Sequence, residues 1–118
     1  MIKANELRIG NLVYSENSIY TIGGGDLLNL HKYYNSYSKS YNPILLTEEW
    51  LFRLGADVNK QIELNDNKHG SIDFSNFDDP YLVNSEFENF PLNKIQYVHQ
   101  LQNLYFALTG QELELKTI

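Results

Sequence analysis

The chain has 118 residues, no cysteine and a formal net charge of −6 from 15 acidic and 9 basic residues. This length suits one domain that buries about 60–70% of its unfolded surface, and without thiols neither a disulfide framework nor a thiolate zinc site can form. The acidic balance argues against duplex-DNA binding, which needs clustered Lys and Arg to displace counterions.

The charge is unevenly placed. Between residues 57 and 88, eight acidic residues stand against Lys60 and Lys68, so this stretch alone carries −6 and the remainder sums to zero. A solvated acidic sheet face is the plainer reading; a surface for a basic partner, or one that mimics a nucleic acid, is the sharper one. Lys3, Glu6 and Arg8 interrupt the N-terminus where a signal peptide would need an apolar run, and no stretch is long and apolar enough to span a bilayer. The expectation is a cytoplasmic protein with no membrane segment.

Residues 7–14 and 18–22 read as strands around the turn-forming triplet Ser15-Glu16-Asn17, an N-terminal hairpin. Gly23-Gly24-Gly25-Asp26 reads as a second turn leading into a third strand at 27–30. A phosphate cradle would need a helix N-terminus or Gly-Lys-Ser/Thr after the glycines, and with a strand expected there that reading is set aside. Residues 32–42, KYYNSYSKSYN, show no apolar period and are expected to form an exposed, mobile loop. Ile44-Leu45-Leu46 returns the chain to the core. Thr47 is a good N-cap for a helix over 48–54, with Glu48 and Glu49 at its positive end, Gly55 past its end, and Trp50, Leu51 and Leu54 as its buried stripe.

Strands are expected at 61–64, 71–74 and 81–84, with turns at 65–70 and 75–80. Ile62/Leu64 and Ile72/Phe74 alternate with Gln61/Glu63 and Ser71/Asp73, so one face should pack inward and the other carry acidic charge. Phe87, Phe90, Pro91 and Leu92 form an irregular apolar lead into a long helix. Asn93 is its expected N-cap and Gly110 its stop, with an edge strand at Leu113/Leu115. The fold class expected is α+β: small antiparallel sheets or an open barrel, one short central helix and one long C-terminal helix, in a single domain.

That last helix is the most distinctive segment. Seventeen consecutive residues, 95–111, carry no formal charge. On a helix turning about 100° per residue, Val98, Leu101, Leu104, Tyr105 and Leu108 share a face with Tyr97, while Ile95 and Phe106 widen the apolar arc past half the circumference. Gln96, His99, Gln100, Gln102 and Asn103 make up the rest, groups that hydrogen-bond without fixed charge. The helix should therefore be enclosed around most of its girth, as a core element, a subunit interface or both.

Chemistry motifs are weak. Residues 65–70, NDNKHG, resemble the start of a calcium loop, but Asn65, His69 and Asn76 stand where it needs Asp or Glu ligands, and Asp78-Asp79-Pro80 reads as a turn. His31, His69 and His99 are too scattered for zinc, and Ser36-Tyr37-Ser38-Lys39 matches a serine acyl-enzyme motif by letters alone. His99 could be a general base, yet no nucleophile or orienting carboxylate is identifiable beside it. No catalytic residue, metal or cofactor is expected, and an enzyme ranks last. Recognition chemistry is better represented. Tyr33, Tyr34, Tyr37 and Tyr41 offer contact area at low entropic cost, and Lys32 and Lys39 make the stretch locally basic. The candidate binding residues are Tyr33, Tyr34, Tyr37, Lys39 and Tyr41, with His99 and Asn103 on the amide face of the last helix. The plain alternative is a polar insertion with no role.

Three blocks, KANELRIGNLVY at 3–14, PILLTEEWLFRLG at 43–55 and IQYVHQLQNLYFALTGQEL at 95–113, resemble a family of small proteins from phages and prophage-like elements of Bacteroidota. The similarity is densest over 98–105, and residues 32–42 depart from it. The resemblance implies a mobile-element accessory protein and transfers no catalytic residue or cofactor. The first expectation is a non-enzymatic module that binds a host or phage protein. The second is a protein that sequesters a nucleotide-type signal in phage counter-defence, in an aromatic pocket between the subunits of a homo-oligomer.

Overall fold

Among the described residues, two separate antiparallel sheets and four α-helices form the α+β fold, and the sheets do not close into a barrel. The computed structural model describes residues 4–64, 70–84, 86 and 88–116. In the first sheet β1 (Leu12–Ser15) pairs with β2 (Ser18–Thr21), joined by Glu16 and Asn17 at φ 53° and 65°. Positive φ at both loop residues is what a tight hairpin needs to follow the strand twist. Behind β1 the chain bulges at Gly10 (φ 96°), whose N–H donates to the Ile22 carbonyl at 2.8 Å while Ile22 N–H donates to the Asn11 carbonyl. Alternation along the hairpin sends Leu12 and Tyr14 into one apolar cluster, and Val13 and Ile22 into another. The hairpin is therefore a wall shared by two cores.

The smaller core is closed by a helix where a strand is expected. Residues 27–30 belong to α1 (Gly24–Lys32). Four residues with three leucines cannot distinguish a helical from a strand period, and the capping chemistry decides it. The Asp26 carboxylate, three residues after Gly23, accepts the Gly23 N–H at 2.8 Å. Leu30 is buried and Leu27 packs against the same cluster, while Leu28 is 55% exposed. The expected loop at 32–42 is also helical, with α2 (Tyr34–Tyr37) followed by a 3₁₀ turn at Ser38–Ser40. Tyr41, at 7% exposure, anchors this segment in the core, a tertiary contact that no local apolar period announces.

The larger core lies beneath α3 (Glu48–Arg53), where Thr47 Oγ1 accepts the Trp50 N–H at 3.3 Å as its sequence suggests. The second sheet is a meander of β3 (Gln61–Glu63), β4 (Ser71–Asp73), β5 (Tyr81–Val83) and β6 (Asn89–Pro91). β6 replaces the expected irregular lead; its proline is tolerated because the strand lies at the sheet edge. The calcium-like stretch 65–69 and Phe87 lie outside the described residues. Gly70 (φ 92°) has no room for a side chain, since a Cβ there would lie 1.6 Å from the Val83 carbonyl oxygen. Ile62, Leu64, Ile72 and Phe74 face inward and Glu63 faces solvent as expected. Asp73 does not join the acidic face: it is 3% exposed and accepts from Gln61 Nε2 and Ser75 N–H, both at 2.8 Å, and from the hydroxyls of Ser75 and Tyr81. Burial alone would raise its carboxyl pKa, and these donors outweigh burial and hold it below the usual carboxylate range.

The last helix, α4 (Val98–Thr109), starts later than expected because residues 44–46 engage 96–98 in extended pairing, with Leu46 N–H to the Gln96 carbonyl at 2.9 Å and Val98 N–H to the Ile44 carbonyl at 2.8 Å. Asn93 is not its cap; the Gln100 side chain reaches back to accept the N–H groups of Gln96 and Tyr97. Gly110 (φ 73°) ends it. Val98, Leu101 and Tyr105 are buried and Leu104 half-buried, but Phe106 and Leu108 are 38% and 36% exposed, so the helix is covered on two sides and open on a third. Leu113 is buried without forming an edge strand, and Lys116 N–H donates to the Arg53 carbonyl, tying the tail to the end of α3. Among the described residues no helix is long and apolar enough to cross a membrane. Leu101→Ala should cost about 2–5 kcal/mol in urea unfolding and Leu108→Ala a fraction of that, because only the first leaves a cavity in a closed core.

Candidate functional site

The candidate binding residues separate into three places. Tyr33, Tyr34, Tyr37 and Lys39 share the short helical segment after α1. Tyr33 is 57% exposed and Tyr37 36%, their ring centroids are 6.3 Å apart with planes at 45°, and Lys39 is exposed, as are His31 and Lys32 at the end of α1. Tyr34 is half-buried and has interactions of its own. Between Asp26 and Glu48 there is no carboxylate. The result is an aromatic surface with two lysines on a chain that is acidic elsewhere.

Tyr41 does not belong to that surface. Its hydroxyl donates to Asp26 Oδ1 at 2.5 Å, its ring lies 5.8 Å from that of Tyr20, and Tyr20 donates to the same carboxylate at 2.9 Å. Burial first, then the bond to Asp26, pushes the Tyr41 hydroxyl far above its ordinary range. Burial would also raise Asp26, but Tyr41, the Gly23 N–H and Tyr20 together hold it below the usual carboxylate range. The signal available beforehand was the acidic residue three positions after Gly23, the mark of a helix start.

His99 and Asn103 lie on α4, where His99, Gln102, Asn103 and Phe106 fall at i, i+3, i+4 and i+7 and form one stripe. The partner of this stripe is the chain's own N-terminal segment. Gln102 Oε1 accepts the Leu12 N–H at 2.8 Å and its Nε2 donates to the Gly10 carbonyl at 3.3 Å. Asn103 Oδ1 accepts from Asn11 Nδ2 at 2.8 Å and Arg8 Nε at 3.2 Å, and its Nδ2 donates to the Glu6 carbonyl at 2.9 Å. Asn11 is fully buried, so Asn103 satisfies a side chain that water cannot reach. Arg8 also forks onto both carboxylate oxygens of Glu112 and lies 4.2 Å over the Phe106 ring. The amides read from sequence as available to a second subunit are thus committed within the chain. Arg8, Asn11 and Glu112, which complete the junction, carry no local pattern that marks them.

His99 is 1% exposed and stacks on Tyr97 with centroids 5.8 Å apart, and neither ring nitrogen has a hydrogen-bond partner among the described residues. Glu6 Oε2 stands 3.7 Å from Nε2, beyond hydrogen-bond reach. Sealed in this way, His99 is neither a solvent-facing contact nor a base that could reach a substrate. Burial lowers its pKa below the ordinary 6.5, with Glu6 opposing weakly. No group of three or more His, Cys, Asp or Glu able to hold a metal occurs among the described residues.

Two outcomes follow from the junction. Asn103→Ala should destabilise the fold by about 1–3 kcal/mol in urea unfolding, since it strands the buried Asn11 amide. A histidine whose folded pKa lies below its unfolded value contributes stability that is complete above pH ~6.5 and is lost as the pH falls through the folded pKa. Thermal midpoints should therefore drop from neutral pH toward pH 5, above the window in which Asp26 and Asp73 titrate, and His99→Gln should flatten that drop. No family model, curated protein sequence or solved structure matches this chain.

Proposed function

We propose that this chain is a non-enzymatic interaction module that engages an anionic partner surface through the tyrosine–lysine face of α1, α2 and the following 3₁₀ turn. One observation carries the reading: exposed Tyr33 and Tyr37, beside exposed Lys32 and Lys39, lie in a stretch of an acidic chain, residues 27–47, that holds two lysines and no carboxylate. Segregated charge of this kind steers a negative partner toward one face and repels it from the others, and tyrosines add contact area with few rotors to immobilise. The competing docking face, the amide stripe of α4, is occupied by the N-terminal segment. The titratable groups an enzyme would draw on, His99, Asp26 and Asp73, are buried or held in hydrogen-bond networks. Together with the resemblance to phage and prophage proteins, we read it as a mobile-element accessory protein that binds a host or phage protein in the host cytoplasm. A nucleotide-type signal is the second choice, because two tyrosine planes inclined at 45° do not form parallel plates for a base.

Tyr33→Ala with Tyr37→Ala and Lys39→Ala should leave the circular dichroism spectrum and thermal midpoint unchanged while weakening capture of a host or phage protein by tenfold or more, about 1.4 kcal/mol. Equal capture by the variant would place the binding face elsewhere. Native mass spectrometry separates the second choice: a nucleotide mass that co-purifies with the wild type and is lost in the variant replaces the protein partner with a small ligand.

A further inference from the structure

The sheet edges are not treated alike. On β1, the Tyr14 N–H and carbonyl pair with Asn42 at 2.8 Å each, and the Leu12 N–H is taken by Gln102. On β3, Gln61 is closed by Asp57, whose side chain accepts the Gln61 N–H at 3.1 Å and whose own N–H donates to the Gln61 carbonyl at 3.0 Å. On β6, Pro91 lacks the N–H that an added strand would need. β2 has no such guard. In the hairpin register the pairs Tyr14↔Ile19 and Leu12↔Thr21 are the ones whose β1 backbone groups turn outward to Asn42 and Gln102, so Ile19 and Thr21 must turn their own N–H and carbonyl groups away from β1 as well. Among the described residues nothing pairs with them. All four residues of β2 are exposed, Ile19 and Tyr20 at 40% and 39%, and none is charged or a proline.

We infer that the free edge of β2 pairs antiparallel with β2 of a second copy of this chain, about a two-fold axis at Tyr20. The strand is complementary to itself in that register. Ile19 of each copy exchanges backbone hydrogen bonds with Thr21 of the other, four bonds in all, and places β-branched side chains opposite each other. Tyr20 meets Tyr20 at the closely spaced non-hydrogen-bonded position, where aromatic pairs gain most. Glu16, just before the strand, falls at opposite ends of the ladder in the two copies, and the Asp26 carboxylate beside the axis is held by the Tyr20 and Tyr41 hydroxyls. The resulting sheet runs β1-β2-β2-β1, and its outer strands are the ones already covered by Asn42 and Gln102. Assembly therefore stops at two chains, where an edge open on both sides would polymerise. This pairing is independent of the tyrosine–lysine face, since it uses none of its residues.

Sedimentation velocity on the full chain over a dilution series tests it. The wild type should reach twice the mass of one chain at high concentration, and Thr21→Pro, which removes an outward N–H that no intramolecular bond uses, should remain a single chain with an unchanged dichroism spectrum. Amide exchange on the wild type provides a reading that needs no variant: the Ile19 and Thr21 amides should be protected in the concentrated sample and released on dilution, whereas the Tyr20 amide, bonded across the hairpin, should stay protected in both. A wild type that stays a single chain at every concentration overturns the inference. So does a dimer that Thr21→Pro retains, or a dimer whose Ile19 and Thr21 amides exchange freely.

Discussion

The fold depends on the polar stripe of α4 against residues 6–12. An uncharged helix can enter the middle of a small protein only if its hydrogen-bonding groups find partners there, and Gln102 and Asn103 find them in the Gly10 carbonyl, the Leu12 N–H, the Asn11 amide and the Glu6 carbonyl. An amide side chain can donate and accept at once, so Gln102 satisfies backbone groups of both kinds at the bulge, and Asn103 accepts from the Asn11 and Arg8 side chains while donating to the Glu6 carbonyl. Glu or Lys at those positions would offer only one kind and bring a charge into the junction. The absence of charge over 95–111 is thus a requirement of burial against backbone.

That junction sets where the hairpin stands, and the hairpin sets the two cores. With Leu12 held over α4 by Gln102, strand alternation directs Leu12 and Tyr14 toward the cluster beneath α3 and the four-stranded sheet, and Val13 and Ile22 toward α1 and Tyr41. A two-stranded hairpin is marginal alone, and here β1 is held by side chains in both cores. The same arrangement leaves β2 on the outside, since β1 is bracketed by Asn42 and Gln102 and only one strand of the pair can be shielded in this way.

Charge is then sorted by what each carboxylate can find. Asp26 and Asp73 sit among donors and serve as structural acceptors, holding α1's first turn to Tyr41 and the β4 end to Ser75. Glu63 remains on the solvated sheet face. The segment from 27 to 47 holds no carboxylate and presents its lysines and two of its tyrosines outward, the charge contrast on which the proposed binding face rests.

Local chemistry was legible wherever a residue's role is settled by its near neighbours. The hairpin turn at Glu16-Asn17, the Thr47 cap, the Gly110 stop, the inward alternation of Ile62 and Ile72 and the buried stripe of Val98, Leu101 and Tyr105 all follow from spacing alone. Where the outcome rested on a distant partner it was not legible. The leucines at 27–30 are an exception, since their signal, Asp26 three residues after Gly23, was local; but Tyr41 anchors the polar segment by reaching back to Asp26, and the amides of α4 turn inward to residues ninety or more positions away. The sequence by itself determined that α4 needed protein packed against it, since its composition suits no solvated helix, although Phe106 and Leu108 stay exposed where enclosure was expected. Only the tertiary structure decided that the enclosing partner is the chain's own N-terminus, because hydrogen-bond satisfaction depends on position in space and leaves no period in the order of residues.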